Sequence, residues 1–267
     1  MPYARTNDVN LYYEIHGDGP ALTLIMGLGG NLAMWDPELI EGLARHFRVV
    51  AFENRGSGRS DKPDHPYTIS VFADDAAALL SGLGIPRAHI FGASMGGMIA
   101  LQLALDHPGR VDRLVLCCTT PGGPHMTPPS LETLEAIANT DGLDPTEATR
   151  KSRRFAFTPA FIAAHEDYLE AKLIREVEHP TPPYALAHHF AAAAHFNVYD
   201  RLPEIQHRTL VMVGREDLMV PATNSILLAQ HITAADLIMY ANAGHGFLTE
   251  RRDDCLEAIA GFLLTIR

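Results

Sequence analysis

Three residues in three different stretches have the types needed for nucleophilic chemistry. Ser94 lies in "HIFGASMGGMIAL" (residues 89–101), among glycines and an alanine and between two apolar runs. A serine hydroxyl is a poor nucleophile at neutral pH, so it needs a base to take its proton and a group to orient that base. A histidine flanked by glycines, His245 in "NAGHGFLTE", supplies the base, and the orienting acid comes from "REDLMVP", as Asp217 or the adjacent Glu216. The order along the chain is serine, then acid, then histidine, one of the orders in which such triads occur.

The surrounding elements could bring these residues together. "VNLYYEIHG" alternates apolar and polar residues as a half-buried strand does. "ALTLIMG", "RVVAF", "HIFG", "RVDRLVLCC", "TLVMVG" and "DLIMYA" are short continuous apolar runs, the pattern of strands buried on both faces. Between them, "PELIEGLARH", "VFADDAAALLSGLG", "MGGMIALQLALDH", "NSILLAQHI" and "RRDDCLEAIAGFLLTI" read as helices. Strands alternating with helices predict a mainly parallel central sheet flanked by helices. Ser94 then falls on a sharp strand-to-helix turn, where Gly92 and Gly96 avoid a clash and the helix N-terminus favours developing negative charge. Asp217 and His245 follow later strands, at the same carboxyl end of the sheet.

The stretch from Pro121 to Pro203 breaks this rhythm. It holds ten of the 18 prolines and six of the 14 histidines and has no strand run. Its pieces "SLETLEAIA", "TPAFIAAHEDYLEAKLIREVE" and "YALAHHFAAAAHF" have helical spacing between Pro-rich junctions. The expected organisation is a core domain of residues 1–120 and 204–267 with an inserted helical cap, residues 121–203.

Bulk properties narrow the function. A chain of 267 residues, 47% hydrophobic, can bury one substantial core, and a net charge of −11 argues against a nucleic-acid partner. Three cysteines, two of them adjacent (Cys117, Cys118), form no disulfide framework and no metal cluster. The N-terminal stretch lacks the pattern of a signal peptide, and no apolar run approaches membrane-spanning length. These features predict a cytoplasmic enzyme with no membrane partner, and both monomer and homodimer stay open.

With these motifs in place, the chain resembles the α/β-hydrolase family over nearly its whole length. "GASMGG", "GREDLMVP" and "NAGHGFL" match the nucleophile, acid and histidine motifs in order. "MGLGGNLAMWDPEL" resembles the oxyanion loop and "AFENRGSGRSDKP" the family's D-x-R-G-x-G-x-S turn. The small bacterial carboxylesterases and 3-oxoadipate enol-lactonase-like hydrolases are the nearest members. The resemblance implies an α/β-hydrolase fold, favours Asp217 over Glu216, and assigns the oxyanion hole to the backbone N–H groups of Leu28 and Met95. Met26-Gly27 stands where the family often has His-Gly, and Glu53 where it often has Asp. Since the oxyanion donors are backbone groups, neither departure need remove them.

The implied reaction is hydrolysis of small, largely apolar carboxylic esters, with water as co-substrate and no cofactor. His245 accepts the Ser94 proton, Asp217 holds the imidazole, and an acyl-enzyme is then hydrolysed. The acid limb of the rate profile is expected at about pH 6 to 7. Enol-lactone, thioester or C–C bond hydrolysis, perhydrolysis, and a non-catalytic ligand-binding role all stay open, because a fold does not choose among them. Other features read as structural. Arg55 in "ENRGSGRSD" is expected in an ion pair, "RKSRR" on a solvated helix face, and His188, His189 and His195 in no metal site. Trp35, Leu186, Phe190 and Phe196 are candidates to line the substrate pocket, although core packing competes for each.

Overall fold

Apolar residues at successive positions of the inner strands send side chains to alternate faces of one sheet, and the helices cover both faces. The computed structural model describes residues 2–138 and 142–265. In chain order the first part comprises β1 (Tyr3–Thr6), β2 (Val9–His16), β3 (Ala21–Ile25), α1 (Pro37–Ala44), β4 (Arg48–Phe52), α2 (Ile69–Gly82), β5 (Ala88–Ala93), α3 (Met95–Asp106) and β6 (Val111–Cys117). Five helices follow: α4 (Leu131–Ala138), α5 (Pro145–Ala156), α6 (Pro159–Ala164), α7 (Glu166–Glu176) and α8 (Pro183–Ala194). The chain then returns through β7 (Thr209–Gly214), α9 (Thr223–His231), β8 (Ala235–Tyr240), α10 (Phe247–Glu250) and α11 (Arg252–Leu264).

The eight strands form one sheet in the order β1-β2-β4-β3-β5-β6-β7-β8. From β4 to β8 every pairing is parallel, and β1 and β2 add an antiparallel edge. This is the mainly parallel sheet that the apolar runs predict. The α2, α3 and α9 helices pack on one face with Val50, Phe52, Ile90, Leu114, Leu116 and Val211. On the other face α1, α10 and α11 cover Val49, Ala51, Phe91, Val115, Leu210 and Met212. The alternation along each strand is what the two-residue period of a β-strand requires.

β1 is absent from the sequence reading. "YART" has no apolar run, and it is held as a strand by pairing with β2 across a two-residue Asn7-Asp8 turn in which Asn7 takes φ 41°. The predicted helix "TPAFIAAHEDYLEAKLIREVE" is two helices, α6 and α7, broken at His165 (φ −133°, ψ 34°). The five helices α4–α8 form an excursion between β6 and β7 whose two ends are tied together. Gly123 N–H donates to Phe196 C=O, Val198 N–H donates to Pro121 C=O, and Gly122 bridges Asn197.

Candidate active site

The strand order decides which loops meet. β5, β6, β7 and β8 are consecutive neighbours, so the chain segments leaving their carboxyl ends lie in a row. Ser94 follows β5 and opens α3 with φ 57° and ψ −124°, a backbone that L-residues rarely adopt. The turn closes because its glycines carry no side chain. A Cβ on Gly92 would lie 2.2 Å from the Gly96 carbonyl oxygen, and one on Gly96 would lie 2.0 Å from that of Ile25. The strained residue is fixed by neighbours: Ser94 N–H donates to Cys117 C=O at 2.9 Å, and Ser94 C=O accepts from the Thr119 hydroxyl at 2.7 Å.

Asp217 and His245 meet above β7 and β8, with His245 Nδ1 2.8 Å from Asp217 Oδ2. The other oxygen, Asp217 Oδ1, accepts from the N–H groups of Met219 (2.9 Å) and Val220 (2.8 Å), so the buried carboxylate is satisfied and its aim set. The neighbouring Glu216 is exposed, so Asp217 is the acid facing the imidazole. Because a carboxylate only accepts, Nδ1 carries a proton, and in the neutral ring Nε2 holds the lone pair. Burial opposes protonation of His245, but the Asp217 carboxylate outweighs it and holds the imidazole well above the ordinary histidine range. The Ser94 hydroxyl makes no hydrogen bond among the described residues, and such bonds often tighten only when substrate is bound.

Sequence reasoning missed Cys118. It follows β6, which lies between β5 and β7, so it stands between the Ser94 turn and the Asp217 loop. It has a left-handed backbone (φ 42°), and its sulfur lies within 4.8 Å of donor atoms of both Asp217 and His245. The adjacent "CC" was its only mark in the sequence, and it showed a buried thiol but not the strand order. The three donors lie close enough together to meet one soft cation.

The loop after β3 approaches Ser94 through Gly27. Gly30 N–H donates to Gly27 C=O at 3.1 Å, closing a turn with Leu28 and Gly29 at its centre, and Gly29 has φ +65°. Among the described residues, no protein acceptor takes the N–H of Leu28 or of Met95, the first residue of α3. Glu53, where the family often has Asp, braces this loop: Glu53 Oε1 accepts from Leu32 N–H (3.2 Å) and from Arg59 (2.8 Å). Asn54 Nδ2 donates to Met26 C=O at 2.9 Å. Arg55 is 1% exposed and paired with Asp75 and Asp8, the structural role its motif suggested.

The four pocket candidates separate. Trp35, 2% exposed, packs edge-on against Phe91 with ring centroids 5.1 Å apart, inside one core layer. Phe196, 5% exposed, belongs to the other layer at the closed base of the excursion. Both are buried in these layers. Leu186 reaches Gly29, where a Cβ would lie 2.7 Å from Leu186 Cδ1, and Phe190 is half-buried on the same helix, α8. The histidines of α8 and its C-terminal end do not converge. His188 meets Asp64, His195 bonds back to Ala191 C=O, and His189 is wholly buried against Gly29 and Arg55. In "RKSRR", Arg150 and Arg153 pair with Glu170. The three cysteines are free and buried, and no described helix is long and apolar enough to cross a membrane.

Comparison with known proteins agrees with this geometry. The model of the α/β-hydrolase fold family matches residues 20–251. A protein of Azorhizobium caulinodans, provisionally named carbamate hydrolase RutD, is 31% identical over 98% of both chains. The crystal structure of a hydrolase from Pseudomonas aeruginosa PA01 superposes with a TM-score of 0.87, at 32% identity and 98% coverage of both chains. The enol-lactonase from Burkholderia xenovorans LB400 superposes with a TM-score of 0.85, at 30% identity, covering 99% of this chain and 100% of that one. With the elbow, the sheet order and these matches in agreement, the chain belongs to the α/β-hydrolase family.

Proposed function

We propose that this hydrolase is a serine carboxylic ester hydrolase acting on small, largely apolar substrates, with Ser94, His245 and Asp217 as its triad. The observation that carries the reading is the 2.8 Å pair of buried Asp217 and half-buried His245 on the loops beside a serine held at φ 57° on a strand-to-helix turn. The pair fixes the imidazole tautomer with its basic Nε2 free, and the turn spends backbone strain to present a hydroxyl, which packing alone does not require.

In this mechanism His245 Nε2 takes the Ser94 proton as Oγ attacks the ester carbonyl carbon. The carbonyl oxygen becomes an oxyanion, held by the N–H groups of Leu28 and Met95. Asp217 stabilises the imidazolium, which then protonates the leaving alcohol as the C–O bond breaks. Water repeats the sequence on the acyl-enzyme: its proton goes to His245, its oxygen to the acyl carbon, and the proton returns to Ser94 Oγ as the acid leaves. The five-helix excursion acts as a cap, and its residues Leu186 and Phe190 face the substrate. The buried, unpaired thiols suit a reducing, cytoplasmic setting.

A lactone is an internal ester, and the likeness to an enol-lactonase favours it as a second substrate class within the same chemistry. The test is a panel of p-nitrophenyl esters, lactones, thioesters and carbamates, with mass spectrometry of the quenched enzyme. Ester turnover with an acyl adduct on Ser94 supports the reading. Faster turnover of carbamates or thioesters than of any ester moves the substrate class, and an adduct on another residue overturns the triad.

A further inference from the structure

The oxyanion loop is held by two different parts of the molecule. Its ends belong to the core, through Asn54 on Met26 and Glu53 on Leu32. Its tip does not. Gly29 N–H donates to His189 Nδ1 at 3.1 Å, and Gly29 C=O accepts from the Thr181 hydroxyl at 2.9 Å. Two residues on, Asn31 Nδ2 donates to the carbonyls of Glu176 (2.8 Å) and His179 (3.1 Å). All four partners lie on the excursion between β6 and β7. Besides the turn bond from Gly30 to Gly27, no core group hydrogen-bonds the backbone of Leu28, Gly29 or Gly30 among the described residues.

The chemistry of His189 suits this grip. Its Nε2 lies 2.8 Å from Arg55 C=O, which can only accept, so Nε2 carries the proton and Nδ1 is left with the lone pair that Gly29 N–H meets. The ring is fully buried, edge-on to Phe72 and Tyr67, and burial pushes its pKa down to about 4, which keeps it neutral. Gly56 makes room for it, since a Cβ there would lie 2.7 Å from Nε2. Fixing both peptide groups of Gly29, with Gly30 closed onto Gly27, leaves the turn one conformation. The direction of the Leu28 N–H follows from it.

We infer that His189 and Thr181 are positioning residues for the second oxyanion donor, so that the cap sets the aim of the Leu28 N–H and acts on turnover as well as on substrate fit. The catalytic consequence rests on the serine-hydrolase reading, and the grip itself does not. An oxyanion donor is worth about 10²–10³ in rate when removed, so a misaimed one costs less.

The experiment compares Thr181→Val, Thr181→Ser, His189→Ala, His189→Asn and the parent on p-nitrophenyl acetate. It also measures inhibition by an aliphatic trifluoromethyl ketone, whose serine adduct carries the oxyanion. Thr181→Val is expected to lower kcat about 10-fold with KM within twofold, to weaken the ketone by the same factor, and to be restored by Thr181→Ser. His189→Asn keeps an acceptor for Gly29 N–H and is expected to fall between the parent and His189→Ala. Values of kcat and ketone affinity within twofold of the parent for Thr181→Val and His189→Ala overturn the inference. So does a joint change in kcat and KM with ketone affinity intact. Amide hydrogen exchange separates the two readings. If the parent turns over no ester and binds no ketone, while His189→Ala speeds exchange at Gly29 at least 10-fold, the grip stands and the serine-hydrolase reading falls. If exchange at Gly29 is unchanged, the grip itself is wrong.

Discussion

Gly27 lies directly against Ser94: a methyl group on it would sit 2.9 Å from Ser94 Cβ and 3.3 Å from Ser94 Oγ. The loop after β3 and the turn that carries Ser94 therefore touch through a residue without a side chain, the close approach that the proposed oxyanion role of the Leu28 and Met95 N–H groups needs. Gly27→Ala is expected to push the loop and the serine apart while leaving the core layers untouched. A displacement approaching an ångström costs up to about 10² in rate, so kcat on p-nitrophenyl acetate should fall at least about 10-fold with little change in Tm. A variant as fast as the parent contradicts the close approach.

The strain at Ser94 separates stability from activity. Glycine adopts φ 57° without penalty, so Ser94→Gly should stabilise the fold by about 1–3 kcal/mol and raise Tm by a few degrees. Ser94→Ala keeps the Cβ and most of the strain. Both should lower kcat by about 10³ or more and abolish labelling by a fluorophosphonate. Calorimetry on the three proteins checks the difference, and a glycine variant no more stable than the alanine variant contradicts stored strain.

Residue type alone puts the acid limb of the rate profile at about pH 6 to 7. The structure moves it upward. Asp217 favours the imidazolium, so His245 stays protonated, and unable to act as a base, until a higher pH. The profile of kcat/KM should rise through a midpoint above about 6.5, and Asp217→Asn should lower that midpoint and cost roughly 10⁴ in kcat. For stability the sign is opposite: the pair stabilises the fold fully below the unfolded histidine pKa, and this is lost as pH rises through the folded value. A parent midpoint at or below 6.5, with chemistry rate-limiting, contradicts the assignment.

Two aromatic residues that look equivalent in the sequence should behave differently. Phe196 is core, and Phe196→Ala should destabilise the protein by about 3–5 kcal/mol, seen as a lower midpoint in urea. Phe190 is half-buried on the helix that carries Leu186. Phe190→Ala should instead shift KM and acyl-length preference while sparing turnover of a small acetate. Equal losses of stability in both variants contradict this division.

Much of the fold was legible because parallel strands buried on both faces must be nearly all apolar, and such runs stand out between helical periods. The strained turn at Ser94 was legible because its backbone tolerates only small neighbours: Gly92 and Gly96 record a steric requirement in the sequence. Asp217 and His245 could be proposed because each follows a strand whose end is marked by its apolar run. β1 was hidden, since a short edge strand is made by its partner and not by its own pattern. The placement of Trp35 in the core and the company Cys118 keeps were hidden for another reason. Periodicity tells which residues leave the solvent and not which strands become neighbours. His189 shows the same limit most clearly. In the sequence it is one of six histidines in a Pro-punctuated stretch, with nothing to distinguish it from His188 or His195. Only the folded chain, by bringing α8 against a loop 160 residues earlier, turns its ring into the acceptor for Gly29 N–H. Local chemistry is written in local sequence, whereas a hydrogen bond across that separation exists only once the core has fixed both ends.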